Sequence, residues 1–219
     1  MADRYPVPAG EHRAAQEVSR SRFLTTLAPA PEPADAHALV ARLRAEFPDA
    51  THHCWAFVAG PPGSTARVGM SDAGEPHGTA GRPMLTALLH SGVGDVAAVV
   101  TRWYGGTKLG TGGLARAYAG GVVAALATLP TVERVTWVRL DVAVGYDAVA
   151  VVRQLVAAHD GRIAGETYAA DVRFAVDVPA SSADAFATAL RDATRGRASV
   201  EGDAAADPAS GRSPGARRR

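Results

Sequence analysis

The sequence predicts an α+β protein built from two domains. Apolar–polar alternation typical of strands is interspersed with helical periodicity, and Leu129-Pro130-Thr131 separates a long helical pattern from a new strand pattern. The chain has 219 residues, of which 47% are hydrophobic, so it can bury one large core or two small ones. We expect an N-terminal domain over 1–130, a C-terminal domain over 131–201 and a disordered tail over 202–219.

Strand and helix patterns alternate in the first half. Residues 12–28 predict two short strands joined near Ser19-Arg20-Ser21, and a helix follows at about 34–47. Residues 52–59 and 66–71 predict a hairpin, because a Gly- and Pro-rich turn separates them. The remaining elements are a helix over 81–90, a strand over 96–104 and a helix ending at 129. The first half of the strand is continuously apolar, so both of its faces should be covered.

The second half follows a simpler pattern. Alternation over 138–144 and 172–178 predicts two half-buried strands, with a helix ending near Ala158 between them. A last helix holding Phe186 and Leu190 precedes a final strand at 197–200. The order β-α-β-β-α-β is that of the ferredoxin-like split motif.

Charge and cysteine content exclude several classes of protein. The formal net charge is +1, so nucleic acid would have to be held by a local basic patch. The single cysteine, Cys54, rules out an internal disulfide, and no apolar window approaches a membrane span or secretory signal. Adjacent His52 and His53 face opposite sides of a strand and cannot both bind one metal ion. We expect a cytoplasmic protein with no membrane partner, no metal and no cofactor.

Candidate binding residues concentrate in two glycine-rich segments, 72–81 and 102–113. Such glycine density indicates tight turns or a ligand close to the backbone. Alternation places Arg102 and Tyr104 on one face of the strand and Trp103 on the other. Arg102 then pairs with Asp72 or Glu75, or contacts an anion; both alternatives stay open. The binding candidates are Asp72, Glu75, His77, Arg102, Tyr104, Gly105, Gly106, Lys108, Gly110, Gly112 and Gly113.

Catalytic and nucleotide-binding motifs fit these segments poorly. Gly110, Gly112 and Ala115 match a dinucleotide fingerprint, but the neighbouring strands look antiparallel and no second half follows. A Walker A loop fails because Lys108 precedes the last glycines. The exposed amides at the helix start beside Lys108 can still hold a phosphate or carboxylate. The loop carboxylates lack a partnered nucleophile, and Cys54 is expected to be a core residue, so no catalytic residue is expected.

Four segments resemble the IMPACT family in its bacterial, YigZ-like form. They are Ser21-Arg22-Phe23, residues 50–56, residues 72–83 and, above all, residues 99–114, which read VVTRWYGGTKLGTGGL. The resemblance spans about residues 12–201. It implies an N-terminal domain similar to the second domain of ribosomal protein S5 and a C-terminal ferredoxin-like domain similar to the last domains of elongation factor G.

The resemblance also implies a link to translation, because the eukaryotic relatives regulate it without being known enzymes. The first hypothesis is therefore a non-enzymatic factor whose loops bind RNA, the ribosome or a translation-associated protein. Arg102, Tyr104 and Lys108 would engage phosphate or carboxylate, His77 would add a contact, and Asp72 and Glu75 would orient the cations. An alternative is a small-molecule enzyme that binds a phosphate-containing ligand at the glycine-rich loop. A third possibility is a protein-binding module whose glycine loops are architectural.

Overall fold

A computed structural model of the chain describes residues 4–203. They form two compact units, one comprising Tyr5–Arg134 and one containing Val135–Asp203 together with Arg4. The strands are β1 (Arg4–Pro8), β2 (His12–Val18), β3 (Ser21–Pro29), β4 (His52–Val58), β5 (Val68–Ser71), β6 (Val96–Trp103), β7 (Thr131–Val135), β8 (Trp137–Val144), β9 (Arg162–Tyr168), β10 (Val172–Pro179) and β11 (Ser199–Asp203). The helices are α1 (Pro33–Glu46), α2 (Gly81–Leu89), α3 (Gly110–Ala127), α4 (Val149–Ala158) and α5 (Ala183–Ala193).

The N-terminal unit is a five-stranded antiparallel sheet covered by helices on both faces. Its strand order is β2-β3-β6-β4-β5, so β6 is central. Ala97 and Val99 of β6 pack in the cluster formed with α1, whereas Ala98 and Val100 pack with α2 and α3. Both faces of β6 are therefore buried, which confirms the expectation drawn from its continuous apolar run.

A second, two-stranded sheet pairs β1 with β7 at the two ends of the N-terminal unit. The buried carboxylate of Asp95 accepts hydrogen bonds from Tyr5 Oη at 2.9 Å and from Arg134 Nη1 at 2.6 Å. Asp95 Oδ1 also accepts the amide of Gly60 at 2.8 Å. This unit extends four residues past the division expected after residue 130, because β7 pairs with β1, a strand that the sequence patterns did not predict.

The C-terminal unit is a four-stranded antiparallel sheet with α4 and α5 packed on one face. The strand order is β11-β8-β10-β9, and the chain follows the predicted order β-α-β-β-α-β. Its core joins Val142 and Phe174 of the sheet to Val152 of α4 and Phe186 of α5. β9 is almost wholly exposed and carries a bulge opposite Ala175/Val176, so it lacks the alternation that marks β8 and β10.

The mixed helix-and-sheet architecture in two parts confirms the predicted class. The last strand runs to Asp203, and the remainder of the expected disordered tail, residues 204–219, lies outside the described residues. Within residues 4–203, no helix is long and apolar enough to cross a membrane. The same residues contain no group of three or more His, Cys, Asp or Glu side chains arranged to hold a metal ion.

Candidate functional site

Arg102 lies at the end of the central strand with its side chain inside the protein. The residue is 4% exposed, and on the neighbouring strands Phe23 and His52 are its partners in register. Arg102 Nη1 donates to Glu75 Oε1 at 2.5 Å, and Nη2 donates to Ser21 Oγ at 3.2 Å. The structure therefore realises the ion-pair alternative for this arginine, with Glu75 as the partner.

Glu75 is the acceptor at which several elements meet. It is 9% exposed, and its Oε1 also accepts the hydroxyl of Tyr118 of α3 at 2.7 Å. His52 Nε2 lies 3.9 Å from the same oxygen. Burial and the hydrogen bonds to neighbouring groups raise the pKa of Tyr118, so its hydroxyl remains a proton donor to the carboxylate. This network joins the 72–79 loop, β6 and α3 through one buried carboxylate.

Asp72 has a different role from the one expected. Its carboxylate accepts the amides of Gly78, Ala80 and Gly81 at 2.8–2.9 Å and so caps the start of α2. Burial acts to raise the pKa of Asp72, but the three amide hydrogen bonds outweigh it and lower the pKa overall. The expectation that Asp72 orients the cations is corrected, because its oxygens are occupied by backbone donors. His77 is fully exposed, with Nδ1 3.8 Å from Asp72 Oδ2.

Cys54 lies beneath this network as a buried core residue. Its thiol donates to the backbone oxygen of Asp72 at 2.9 Å. Burial raises the pKa of the thiol to about 12, so almost none of it is ionised near neutral pH. The side chain is therefore suited to packing and not to nucleophilic attack.

The glycine loop, residues 104–109, connects β6 to α3 and packs against the turn between β2 and β3. A Cβ at Gly105 would lie 1.9 Å from the carbonyl oxygen of Arg20, so only glycine allows this approach. Ser21 Oγ accepts the amide of Gly105 at 3.2 Å, and Arg20 Nη2 donates to Thr107 Oγ1 at 2.6 Å. Gly106 has a positive φ of 83°.

Tyr104 and Lys108 are the exposed members of the loop. Tyr104 is 47% exposed, and the Arg102 guanidinium carbon lies 5.5 Å from the centre of its ring. Alternation thus correctly placed Tyr104 beside Arg102. The exposed Lys108 side chain forms no ion pair or hydrogen bond within residues 4–203.

The start of α3 is open, in contrast to the start of α2. Gly110, with φ of 73°, begins the helix, and Gly112 and Gly113 complete its first turn. No side chain of the described residues caps these amides, and the first turn contains no acidic residue. A helix start of this kind favours an anion, and Lys108 lies two residues before it.

The structure brings together residues that were not among the binding candidates from the sequence. Ser21 and Tyr118 complete the Glu75–Arg102 network, and Arg20 joins the glycine loop. Arg22 places its guanidinium 4.6 Å from the ring centre of Trp103. Pairing of β3 with β6 brings Ser21 and Arg22 to Arg102 and Trp103, and the sequence patterns did not specify this register. Tyr118 reaches Glu75 from α3 instead.

Comparisons with known proteins return one consistent set of relatives. Residues 19–126 match the Impact N-terminal domain, and residues 142–197 match a domain of unknown function, DUF1949. The "IMPACT family member YigZ" of Escherichia coli is 43% identical over 190 residues, which cover 87% of this chain and 93% of that protein. An "IMPACT family member" of Haemophilus influenzae is 38% identical over 197 residues, covering 90% and 96% of the two chains. A crystal structure of a hypothetical protein superposes with a TM-score of 0.66 at 41% identity, covering 91% of this chain and 97% of that one.

Proposed function

Because this chain belongs to the IMPACT family, we propose that it is a cytoplasmic, non-enzymatic factor linked to translation that binds RNA on the ribosome through its glycine loop. The link to translation rests on what the family resemblance implies. The observation that supports the binding site is the open start of α3, flanked by Arg20 and by Lys108, which forms no ion pair with any described residue. Backbone amides and cations in one place suit a phosphate.

The strand orders support the fold assignments that accompany this proposal. The C-terminal order β11-β8-β10-β9, with two helices on one face, is that of a ferredoxin-like domain. For the N-terminal unit we infer a fold similar to the second domain of ribosomal protein S5. These likenesses are shared by proteins of many activities, so the binding argument rests on the loop and not on the fold.

The chemical state of the buried groups favours binding over catalysis. Glu75 accepts hydrogen bonds from Arg102 and Tyr118, and Asp72 accepts them from three backbone amides. Burial raises the pKa of the Cys54 thiol and keeps it protonated. None of these groups is poised to take or give a proton to an external ligand. Glu75 and Arg102 instead hold the strand end from which the glycine loop extends.

Sucrose-gradient cosedimentation with ribosomes at low and moderate salt tests the proposal. The informative variant is Arg20→Gln/Lys108→Gln, since both side chains are exposed, whereas replacing Arg102 would leave Glu75 buried without its cation. We expect the wild-type protein to cosediment at low salt and the variant to remain near the top. The control, Arg44→Gln/Arg67→Gln, removes the same charge from exposed positions elsewhere in the unit and should behave like the wild type.

Failure of the wild-type protein to sediment would reject the ribosome-binding proposal. The open helix start would then favour the alternative, a small-molecule enzyme with a phosphate-containing substrate. A thermal shift with millimolar Mg-ATP, lost in Arg20→Gln/Lys108→Gln, would support that alternative, because a ligand of the native state stabilises it.

A further inference from the structure

We infer that the N-terminal unit carries a platform for the bases of single-stranded RNA, formed by Trp103, Arg22 and Phe47 beside the glycine loop. The inference rests on the proposed function and specifies which form of RNA the site takes. It concerns the face of the sheet that carries α1, where β2 and β3 extend beyond the helix.

The platform is a groove of about 400 Å³ with an aromatic and aliphatic lining. Its floor includes Trp103, at the end of β6. Phe47, which follows α1, packs against the indole, and the two rings are nearly perpendicular with their centres 5.5 Å apart. Trp103 Nε1 donates to Asp49 at 2.9 Å, which fixes the orientation of the indole. Leu24 and Ala15 complete the apolar lining, and Glu17 supplies a carboxylate at the rim.

Arg22 is the cation of this groove. Glu17 lies opposite it in the β2–β3 register, but the two side chains form no ion pair within residues 4–203. Its guanidinium lies 4.6 Å from the Trp103 ring centre and pairs with no carboxylate of the described chain. Arg13, on the same face, lies over Phe47 at 5.6 Å but is held by Glu11 and Glu46. Arg22 is thus the exposed arginine of the two that forms no ion pair within residues 4–203, and it stacks on Trp103.

The glycine loop begins at the edge of the groove, because Trp103 of the lining directly precedes Tyr104. Arg22 is two residues from Arg20, whose side chain hydrogen-bonds Thr107, and Lys108 follows Thr107. Exposed Arg22 lines the groove, and exposed Arg20 and Lys108 lie in the adjoining β2–β3 turn and glycine loop. Cations that follow a backbone beside aromatic planes are the arrangement that binds single-stranded nucleic acid, because unpaired bases expose their faces for stacking.

Charge complementarity selects this occupant. A polyanion satisfies the three cations at once, while its bases cover the apolar lining and the edge of a base can donate to Glu17. A duplex satisfies the cations but keeps its bases stacked inside the helix, so it leaves the groove empty. Single strands should therefore bind more tightly than duplexes of the same sequence.

Fluorescence anisotropy of the full chain with a labelled 12-nucleotide RNA, as a single strand and as a duplex, tests the inference. We expect Trp103→Leu and Arg22→Gln each to weaken single-strand binding roughly 10-fold or more, and to affect duplex binding less. Matched controls are Trp137→Leu and Arg162→Gln, a second stacked pair in which the cation lies 4.8 Å from the indole centre but is held by Asp177. Both controls should bind like the wild type.

Direct stacking has its own signal. Single-stranded RNA should quench tryptophan fluorescence in the wild type and less in Trp103→Phe, which keeps a ring for stacking but removes the indole. Since Arg22 is exposed, Arg22→Gln tests the site even if Trp103→Leu is poorly folded. Single-strand binding unchanged by Arg22→Gln, or equal affinity for the duplex, would overturn the platform while leaving the proposed function intact. Absence of binding to either RNA at low salt would overturn both.

Discussion

Arg102 and Glu75 form an ion pair in which both partners are buried and the contacting atoms lie 2.5 Å apart. The carboxylate also accepts from Tyr118, and the guanidinium also donates to Ser21. The charge of Arg102 is therefore paired within the protein, although its buried Nε has no hydrogen-bond partner among the described residues. The pair holds the strand end from which the loop with Tyr104 and Lys108 extends.

Removing one partner of this pair should be costly. Glu75→Gln leaves the Arg102 charge buried without its counter-charge, and we expect the free energy of unfolding to fall by about 3–5 kcal/mol. Urea denaturation at pH 7 measures the loss. In Glu75→Gln/Arg102→Met the unpaired charge is removed, so the double variant should be more stable than Glu75→Gln alone; a double variant whose loss equals the sum of the two single losses would contradict the buried-pair interpretation.

Asp72 should make stability depend on acid pH. The pKa of Asp72 in the folded chain lies below its ordinary value of about 4 in the unfolded chain. The ionised Asp72 therefore stabilises the fold fully above about pH 4, and this stabilisation is lost as the pH falls through the folded-state pKa. We expect Asp72→Asn to be less stable at pH 7 but to lose less further stability between pH 5 and pH 3. Urea midpoints at several pH values measure this.

The control for acid titration is Glu17→Gln, which removes an exposed carboxylate from β2 of the same unit. Its stability should fall with pH as the wild type does. An Asp72→Asn variant with the full wild-type acid dependence would show that the α2 cap does not set it.

Replacement by alanine should change the stability of the protein in opposite directions at Gly105, in the glycine loop, and at Gly112, in α3. Gly105→Ala forces a Cβ into the backbone of Arg20 and should destabilise the unit and displace the loop. Gly112 lies in the first turn of α3, where a Cβ meets only Arg116 Nη1 at 3.7 Å, so Gly112→Ala should be neutral or stabilising by up to about 1 kcal/mol. Thermal melts of the two variants make the comparison; equal melting temperatures would refute the close approach at Gly105.

The Cys54 thiol should resist alkylation in the native protein. With its pKa raised to about 12, roughly one thiol in ten thousand is ionised at pH 8, and the sulfur is also inaccessible. We expect iodoacetamide to modify the native chain at least about 100-fold more slowly than the chain in concentrated urea. Stoichiometric modification of the native protein within minutes would contradict the interpretation of Cys54 as a buried core residue.

Sequence patterns predicted the elements whose periodicity is set by burial. The patterns predicted β6, β8 and β10 correctly, because the side chains of these strands pack into a core on one face or on both. β1 was not predicted, since it is only five residues long. β9 is part of the predicted order β-α-β-β-α-β but received no residue bounds, because it is almost wholly exposed and shows little apolar alternation. Short or exposed strands owe their place to pairing, which is not a local property.

The sequence patterns predicted several residues of the candidate site, but they did not predict which of these residues contact one another. Arg102 and Tyr104 were placed on one face by alternation, and Glu75 was one of two acids proposed to pair with the arginine. Choosing between Asp72 and Glu75 required knowing that α2 begins at Gly81 and that its free amides need an acceptor. Trp103 and Arg22 come together only through the β3–β6 register.

The pairing of β1 with β7 has a consequence for biosynthesis. Residues 4–8 are synthesised long before residues 131–135, with which they pair, and the Tyr5–Asp95 hydrogen bond is joined by Arg134 only after residue 134 has been made. Contacts so far apart in the chain close late in folding. The nascent N-terminal unit therefore remains unfinished until synthesis has entered the second half of the chain, and a fragment truncated at residue 130 would expose β1 permanently as an unpaired edge.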